Sequence, residues 1–131
     1  MYSKINIVFY YISLYNLLFL NLNKEKIMKE LKTFQKKHLK GLAHNLKPVV
    51  FLGQNGATLN FIKSVDQALE KHELIKIKFI DYKEKESKLK ISESIVKETN
   101  SFFVSMIGHI LILYRQSSDL KNKKIKLPLN E

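Results

Sequence analysis

The chain between residues 31 and 47 carries apolar residues, and one histidine, at intervals of three and four, which is the spacing of one face of an α-helix. These positions are Leu31, Phe34, His38, Leu39, Leu42 and Leu46. The pattern predicts an amphipathic helix that begins at the N-cap Thr33 and ends before Pro48. Residues 49–52 are all apolar and lie between Pro48 and Gly53, so they are predicted to form a buried strand.

Thr58 is predicted to cap a second helix, because apolar residues recur along one face of the stretch that follows it. That face comprises Leu59, Ile62, Val65 and Leu69, with Phe61 and Ala68 beside it. The helix closes at His72 and Glu73, and residues 74–81 then alternate between apolar side chains and lysine, which predicts a strand with one buried face. The charged stretch 82–100 predicts a third, polar helix, supported by Leu89, Ile91, Ile95 and Val96.

Two further strands are predicted at residues 102–107 and 110–114, joined by a tight hairpin at Gly108-His109. The remaining residues, 116–131, are rich in lysine and poor in aromatic side chains, which predicts a frayed tail. The order of the elements is therefore α-β-α-β-α-β-β, and it predicts an α/β fold built as a single compact domain.

The first 22 residues differ from the rest, because they hold one charge, Lys4, and an apolar stretch over residues 5–22 with four polar interruptions. This stretch is long enough to cross a membrane. Three interpretations compete: a membrane anchor, a secretory signal and a translated upstream segment that is not part of the functional protein. No small-residue cleavage site follows it, which argues against a signal, and the polar interruptions argue against an anchor. The composition becomes lysine-rich and amphipathic at Met28, so we expect the functional domain to start there and residues 1–27 to be a nonessential extension.

The composition is that of one globular domain, with 131 residues of which 45% are apolar and 27% charged. The sequence contains no cysteine, which excludes disulfides, thiolate zinc sites and a cysteine nucleophile and is compatible with a reducing compartment. The net charge is +11, and all of the cations except Arg115 are lysines. Such an excess indicates a polyanionic partner met through its phosphate backbone, with solubility or biased codon usage as the alternative explanation.

The sequence lacks the motifs of the common catalytic sites. None of the four histidines makes a metal-ligand pair with a carboxylate at helical spacing, and there is no nucleophile elbow, no Gly-x-x-x-x-Gly-Lys-Ser/Thr phosphate loop and no Gly-x-Gly-x-x-Gly dinucleotide loop. We therefore expect no enzyme activity, no metal, no cofactor and no small-molecule substrate.

Two glycines, Gly53 and Gly56, lie between the predicted buried strand and the start of the second helix. Glycine permits positive φ and close approach of a ligand, and the first turn of a helix presents free amides and a partial positive charge, so this loop suits a phosphate. The alternative is a tight turn that needs glycine only for its conformation. Lys36 and Lys40 lie opposite the apolar face of the first helix with Lys37 to one side, and a solvated surface is the alternative for them.

Three ordered blocks of sequence carry a further signal. The first runs from Lys36 to Gly56 with the pattern KKHLKxLAHxLKPVVxxGxxG, the second is HELIK at residues 72–76, and the third joins IGH at 107–109 to LYR at 113–115. Together they resemble the CRM domain, the chloroplast RNA splicing and ribosome maturation module, as found in single-domain bacterial YhbY-like proteins. The resemblance covers about residues 28–117.

The resemblance implies an α/β domain with a mixed four-stranded sheet packed with helices, similar to the C-terminal domain of translation initiation factor 3. It implies a cytoplasmic, monomeric RNA-binding protein that associates with precursors of the large ribosomal subunit and assists their assembly. By position, the RNA-binding residues would be Lys36, Lys37, Lys40, Lys47, Gly53, Gln54, Asn55 and Gly56. Gln54 departs from the family pattern, which usually has a basic residue there, so the backbone amides of the loop are expected to meet the phosphate.

These observations predict an apolar extension at 1–27, an RNA-binding domain at 28–117 and a basic flexible tail at 118–131. The alternative is a membrane-tethered basic domain that meets anionic lipid or a protein partner. The two hypotheses differ in their requirement for residues 1–27, which the first does not need for RNA binding and the second needs for localisation.

Overall fold

The computed structural model of the chain describes residues 7–18 and 30–130, so the predicted start at Met28 lies outside the described residues. Residues 7–18 are helical and form α1. The elements that follow have the predicted order α-β-α-β-α-β-β. They are α2 (Thr33–Ala43), β1 (Val50–Leu52), α3 (Leu59–His72), β2 (Leu74–Phe79), α4 (Lys85–Thr99), β3 (Phe102–Ile107), β4 (Ile110–Tyr114) and a 3-10 turn (Leu120–Asn122).

The four strands form one mixed sheet in the order β1-β2-β4-β3. β1 runs parallel to β2, and the two other pairs are antiparallel. The β3–β4 hairpin turns at Gly108-His109 as predicted, and Gly108 has a φ of +60°, which glycine adopts without strain. The mixed four-stranded sheet expected from the resemblance is therefore confirmed.

Helices cover both faces of the sheet. On one face α3 and α4 bury a core that includes Val65, Leu69 and Ile95 against the alternating residues Ile75 and Ile77 of β2. On the other face α2 contacts β2, β3 and β4, and a second core forms beneath it. That core comprises Leu31, Leu39, Ala43, Leu74, Val104, Ile112 and Tyr114. Because β2, β3 and β4 place residues in both cores, the sheet is the central layer of the domain.

Helix α2 is shorter than predicted, since it ends at Ala43 and has Lys32 as its N-cap residue in place of Thr33. Pro48 disfavours helical backbone only in Lys47, so it limits how far the helix could extend but does not explain its end at Ala43. Only Leu39 and Ala43 of the helix are buried, whereas Leu42 and Leu46 of the predicted apolar face are exposed.

Strand β1 is buried on one side only, which corrects the prediction of a fully buried strand. Val50 and Leu52 lie in the core under α3, while Val49 and Phe51 are exposed. β1 is an edge strand, and α2 contacts the other three strands of the opposite face, so an open strip remains beside it.

The described part of the tail packs on the domain, whereas the sequence predicts a flexible tail over residues 118–131. The buried Glu73 carboxylate accepts hydrogen bonds from the backbone N–H groups of Lys124 at 2.6 Å and Ile125 at 3.0 Å. Ile125 and Leu127 then pack against the core beneath α2. The prediction fails here because Glu73 precedes these residues by 51 and 52 positions, and no local pattern reveals the pairing.

Helix α1 exposes its apolar side chains, among them Phe9, Tyr15 and Leu18. Among the residues that the structure describes, no helix has the length and hydropathy needed to cross a membrane. The dispensability of residues 1–27 stays a prediction.

Candidate nucleic-acid interface

The loop from Gly53 to Gly56 joins the C-terminal end of β1 to α3. One backbone hydrogen bond closes it, in which the Gly56 N–H donates to the Gly53 carbonyl oxygen over 3.2 Å. Thr58 is the N-cap of α3, and its hydroxyl oxygen accepts a hydrogen bond from the Phe61 N–H at 3.2 Å, which confirms the predicted cap. The loop therefore leads directly into the first turn of a capped helix.

The two glycines of the loop differ in what they require. Gly56 has a φ of +70°, and a Cβ at this position would lie 3.2 Å from the Tyr82 hydroxyl oxygen. Gly53 has no positive φ, and its Cβ would meet Asp81 Oδ2 at an ordinary contact distance of 3.9 Å. The predicted positive φ is thus confirmed at Gly56 alone, and Gly53 is free to accept a side chain.

The loop forms one wall of an open cleft with a volume of about 540 Å³. The cleft brings together all four loop residues with side chains from β1, α3 and the end of β2. Its lining comprises Phe51, Gly53, Gln54, Asn55, Gly56, Thr58, Phe61 and Asp81. Asp81 adds a carboxylate to this lining, which opposes the approach of a phosphate from its side by like-charge repulsion.

The backbone of the loop has free hydrogen-bond donors in residues that line the cleft. Among the described residues, the N–H groups of Gln54 and Asn55 have no hydrogen-bond acceptor. The Gln54 carbonyl oxygen is held from the other side, since it accepts from the Tyr82 hydroxyl at 3.2 Å. Two adjacent free amides on a fixed turn are a suitable arrangement for donating hydrogen bonds to the oxygens of one phosphate.

The predicted lysines lie outside this cleft. Lys36, Lys37 and Lys40 are on α2, where Lys36 is half-buried and the other two are exposed, and Lys47 is exposed in the segment between α2 and β1. Within residues 7–18 and 30–130, none of the four makes an ion pair. The helix contains no acidic residue, so its solvent side carries net positive charge. The structure therefore separates the predicted site into a loop cleft and a lysine surface.

Two lysines of β2 and one aromatic residue of β1 lie near the candidate interface but are not among the site residues predicted from the sequence. Lys76 Nζ donates to the carbonyl oxygen of His44 at 3.3 Å and so binds the C-terminal end of α2. Lys78 is exposed and pairs in register with Phe51, which is half exposed and lines the cleft. The alternation of residues 74–79 places both lysines on one face, but it does not indicate that α2 covers part of that face.

Glu73 and Arg115, both in the family-like blocks, have structural contacts. Arg115 donates to Asp66 Oδ1 at 2.5 Å and to the Thr99 carbonyl oxygen at 2.7 Å, which ties α3 to the end of α4. Glu73 ends α3 with a φ of +64° and accepts a third hydrogen bond from the Ser117 N–H at 2.9 Å. The Arg115 contacts therefore join two helices, and the Glu73 contacts hold the C-terminal segment.

Two acidic residues at the end of α3 are ionised by this network. For Glu73, burial opposes ionisation, but the backbone N–H groups of Lys124, Ser117 and Ile125 outweigh it and hold the pKa below its ordinary value. For Glu70, a hydrogen bond from the Ser118 hydroxyl has the largest effect, and with the other donors of this turn it lowers the pKa to about 2 against the opposing effect of burial.

Known proteins share both sequence and fold with this chain. The family described as the CRS1 / YhbY (CRM) domain matches residues 31–115. An RNA-binding protein of Haemophilus influenzae is 48% identical over 101 residues, which span 77% of this chain and 98% of that protein. The Bacillus subtilis protein named probable RNA-binding protein YqeI is 39% identical over 94 residues, spanning 72% of this chain and 95% of that one.

A solved structure agrees with the fold. The solution structure of the hypothetical protein SAV1595 from Staphylococcus aureus superposes with a TM-score of 0.65 at 37% sequence identity. The match covers 75% of this chain and 99% of that chain.

Proposed function

This chain belongs to the CRS1 / YhbY (CRM) domain family, and from that premise we propose that it binds RNA, associates with precursors of the large ribosomal subunit and assists their assembly. The observation that carries the proposal is the loop cleft, in which a glycine turn presents two free backbone amides beside the N-terminus of α3. Relatives with 48% and 39% identity are named as RNA-binding proteins, which supports RNA as the polyanion.

The loop acts as a clamp on the sugar-phosphate backbone. Gly56 takes a backbone conformation that other residues rarely adopt, and this conformation keeps the loop flat enough for a nucleotide to approach. The free N–H groups of Gln54 and Asn55 donate to phosphate oxygens, while the Asp81 carboxylate repels a phosphate at any position closer to itself. Contacts of this kind position the RNA without reading its sequence.

The lysine surface supplies affinity over a larger area. Lys37, Lys40 and Lys47 are exposed, and their ammonium groups attract phosphates as point charges. Binding of this kind releases counterions, so the affinity should fall steeply as salt concentration rises. The loop and the lysine surface together would therefore hold a structured rRNA segment at more than one point.

Sedimentation of ribosomal particles from cells tests the assembly role. The protein is expected in the fractions that contain precursors of the large subunit and to leave them when the salt concentration is raised. Recovery of the protein only in the particle-free fractions, at low salt as well as high, would contradict the assembly role while leaving RNA binding open to direct measurement.

A membrane-surface role is the second candidate, because α1 exposes apolar side chains along its described length. A full-length variant with Phe9, Tyr15 and Leu18 replaced by serine separates the two. If the second candidate is right, this variant loses flotation with anionic vesicles. If the RNA proposal is right, it binds RNA with the affinity of the unaltered chain.

A further inference from the structure

One strip of the sheet face under α2 is not covered by that helix. The C-terminal end of α2 lies beside Lys76, whose Nζ donates to the His44 carbonyl oxygen at 3.3 Å. The next row of side chains on the same face lies two residues further along β2 and crosses all four strands in register. This open row consists of Phe51, Lys78, Ile110 and Ile107.

The open row presents an aromatic ring to solvent beside the loop cleft. Phe51 is 54% exposed, although its neighbours Val50 and Leu52 are buried in the opposite core. Ile107, at the far end of the row, is 58% exposed, and Lys78 between them is exposed as well. Because Phe51 also lines the cleft formed by the glycine loop, the residue that carries the ring and the free loop amides border one space.

We propose that Phe51 stacks on an unpaired RNA base while Lys78 contacts a neighbouring phosphate. The inference rests on the proposed function and names its substrate class, which is a single-stranded loop, bulge or end. Bases in a continuous duplex are stacked on one another and cannot reach an aromatic ring on a sheet, whereas unpaired bases are splayed out and stack on such rings.

The charge of the row favours RNA over an apolar protein surface. A protein partner that covered Phe51 and Ile107 would also bury the Lys78 ammonium, which is costly without a paired anion. RNA brings a phosphate with every nucleotide, and a base on Phe51 leaves its own backbone within reach of both Lys78 and the loop. One nucleotide chain therefore satisfies the ring, the cation and the free amides together.

The test measures the affinity of the full chain for a fluorescent single-stranded RNA and for a blunt duplex of the same length, by anisotropy over a range of salt concentrations. Phe51→Ala is expected to weaken single-strand binding by about 5- to 150-fold, the usual effect of removing one base-stacking aromatic. The log–log salt slope should stay unchanged, because stacking releases no counterions, and duplex binding should be unaffected. Phe51→Tyr should retain the affinity, and Ile107→Ala, a change of matched exposure on the same row, should have little effect.

Phe51→Leu keeps an apolar side chain on the strand and serves if the alanine variant unfolds. Its affinity is expected to fall nearly as far as that of the alanine variant, because leucine has no π face. Equal affinity of Phe51→Leu and the unaltered chain, or equal losses in Phe51→Ala and Ile107→Ala, would overturn the stacking role. Unchanged RNA affinity of Phe51→Ala, with the melting temperature of the unaltered chain, would overturn it as well. Failure of the unaltered chain to bind any RNA would instead refute the proposed function.

Discussion

Replacing the buried Glu73 by alanine is expected to lower the free energy of unfolding by about 3 to 5 kcal/mol. The Glu73 carboxylate accepts three backbone hydrogen bonds, from Ser117 at 2.9 Å, Lys124 at 2.6 Å and Ile125 at 3.0 Å. Each N–H left buried without an acceptor costs about 1 to 3 kcal/mol. Three such groups sum to about 3 to 9 kcal/mol, and the expected loss lies in the lower part of that range because the C-terminal segment can move into solvent and hydrate these groups.

Glu73→Gln is the matched control, because it keeps the size of the side chain and one carbonyl oxygen. That oxygen can accept from Lys124 and Ile125, which both donate to Glu73 Oε1, but the new amide group then faces the Ser117 N–H as a second donor. The expected loss is about 1 to 3 kcal/mol, smaller than for alanine.

Chemical denaturation followed by circular dichroism gives both values, and hydrogen exchange reports the amides of Lys124 and Ile125 directly. Faster exchange of these two amides, ahead of the amides of β2 and β4, would show that the C-terminal segment detaches first. The role of Glu73 in holding the C-terminal segment is refuted if the free energy of unfolding of the alanine variant lies within about 0.5 kcal/mol of that of the unaltered chain, or if the two amides keep their full protection.

Four further changes test separate parts of the structure. Gly56→Ala should cost about 1 to 2 kcal/mol of stability because its φ is +70°, whereas Gly53→Ala should leave the melting temperature nearly unchanged; equal shifts in thermal unfolding would contradict this. Replacing Lys36, Lys37 and Lys40 together by alanine should lower the log–log salt slope of RNA binding by about 2, uniformly across RNA sequences, and an unchanged slope would mean that this surface is only solvated. Gln54→Lys should tighten RNA binding by about 1.5- to 5-fold, since it adds a cation to the cleft lining, and weaker binding in a titration would count against a phosphate there. Acid should destabilise the C-terminal segment between about pH 4.5 and 2. The pKa of Glu70 is about 2 when folded against 4.5 when unfolded, so the unfolded chain takes up a proton first as the pH falls. A free energy of unfolding that stays constant over this pH range would be inconsistent with the hydrogen-bond network.

Local sequence patterns were sufficient to predict the elements whose buried positions recur regularly or whose contacts join residues close together in the chain. The alternation of residues 74–79 predicted β2 because one face of this strand is buried in the core along its length. Gly108-His109 predicted the hairpin because the turn is made by adjacent residues. Thr58 likewise caps α3 through a bond to a residue three positions away.

Features set by distant parts of the chain were beyond those patterns. The exposure of Phe51 depends on how far α2 extends over the sheet, and an apolar run alone does not distinguish a strand with one open side from a buried one. The attachment of the C-terminal segment depends on Glu73, which a sequence pattern shows only as the end of a helix. The loop residues Gly53 to Gly56 were found because glycine spacing and a following cap are local signals, whereas Asp81 enters the same cleft from the segment that follows β2.

The most direct test of the proposed clamp is the dissociation constant of a precursor rRNA fragment for Gly53→Asp, measured beside Gly53→Ala. Both side chains fit the backbone at Gly53, whose Cβ would lie 3.9 Å from Asp81 Oδ2, so the pair differs chiefly in charge, and the melting temperatures report any repulsion between the aspartate and Asp81. The aspartate is expected to weaken binding by about tenfold or more, because it places a carboxylate beside the phosphate held by the loop amides, while the alanine variant binds like the unaltered chain. An aspartate variant with the melting temperature and dissociation constant of the unaltered chain would show that the loop is a structural turn and that RNA binds elsewhere.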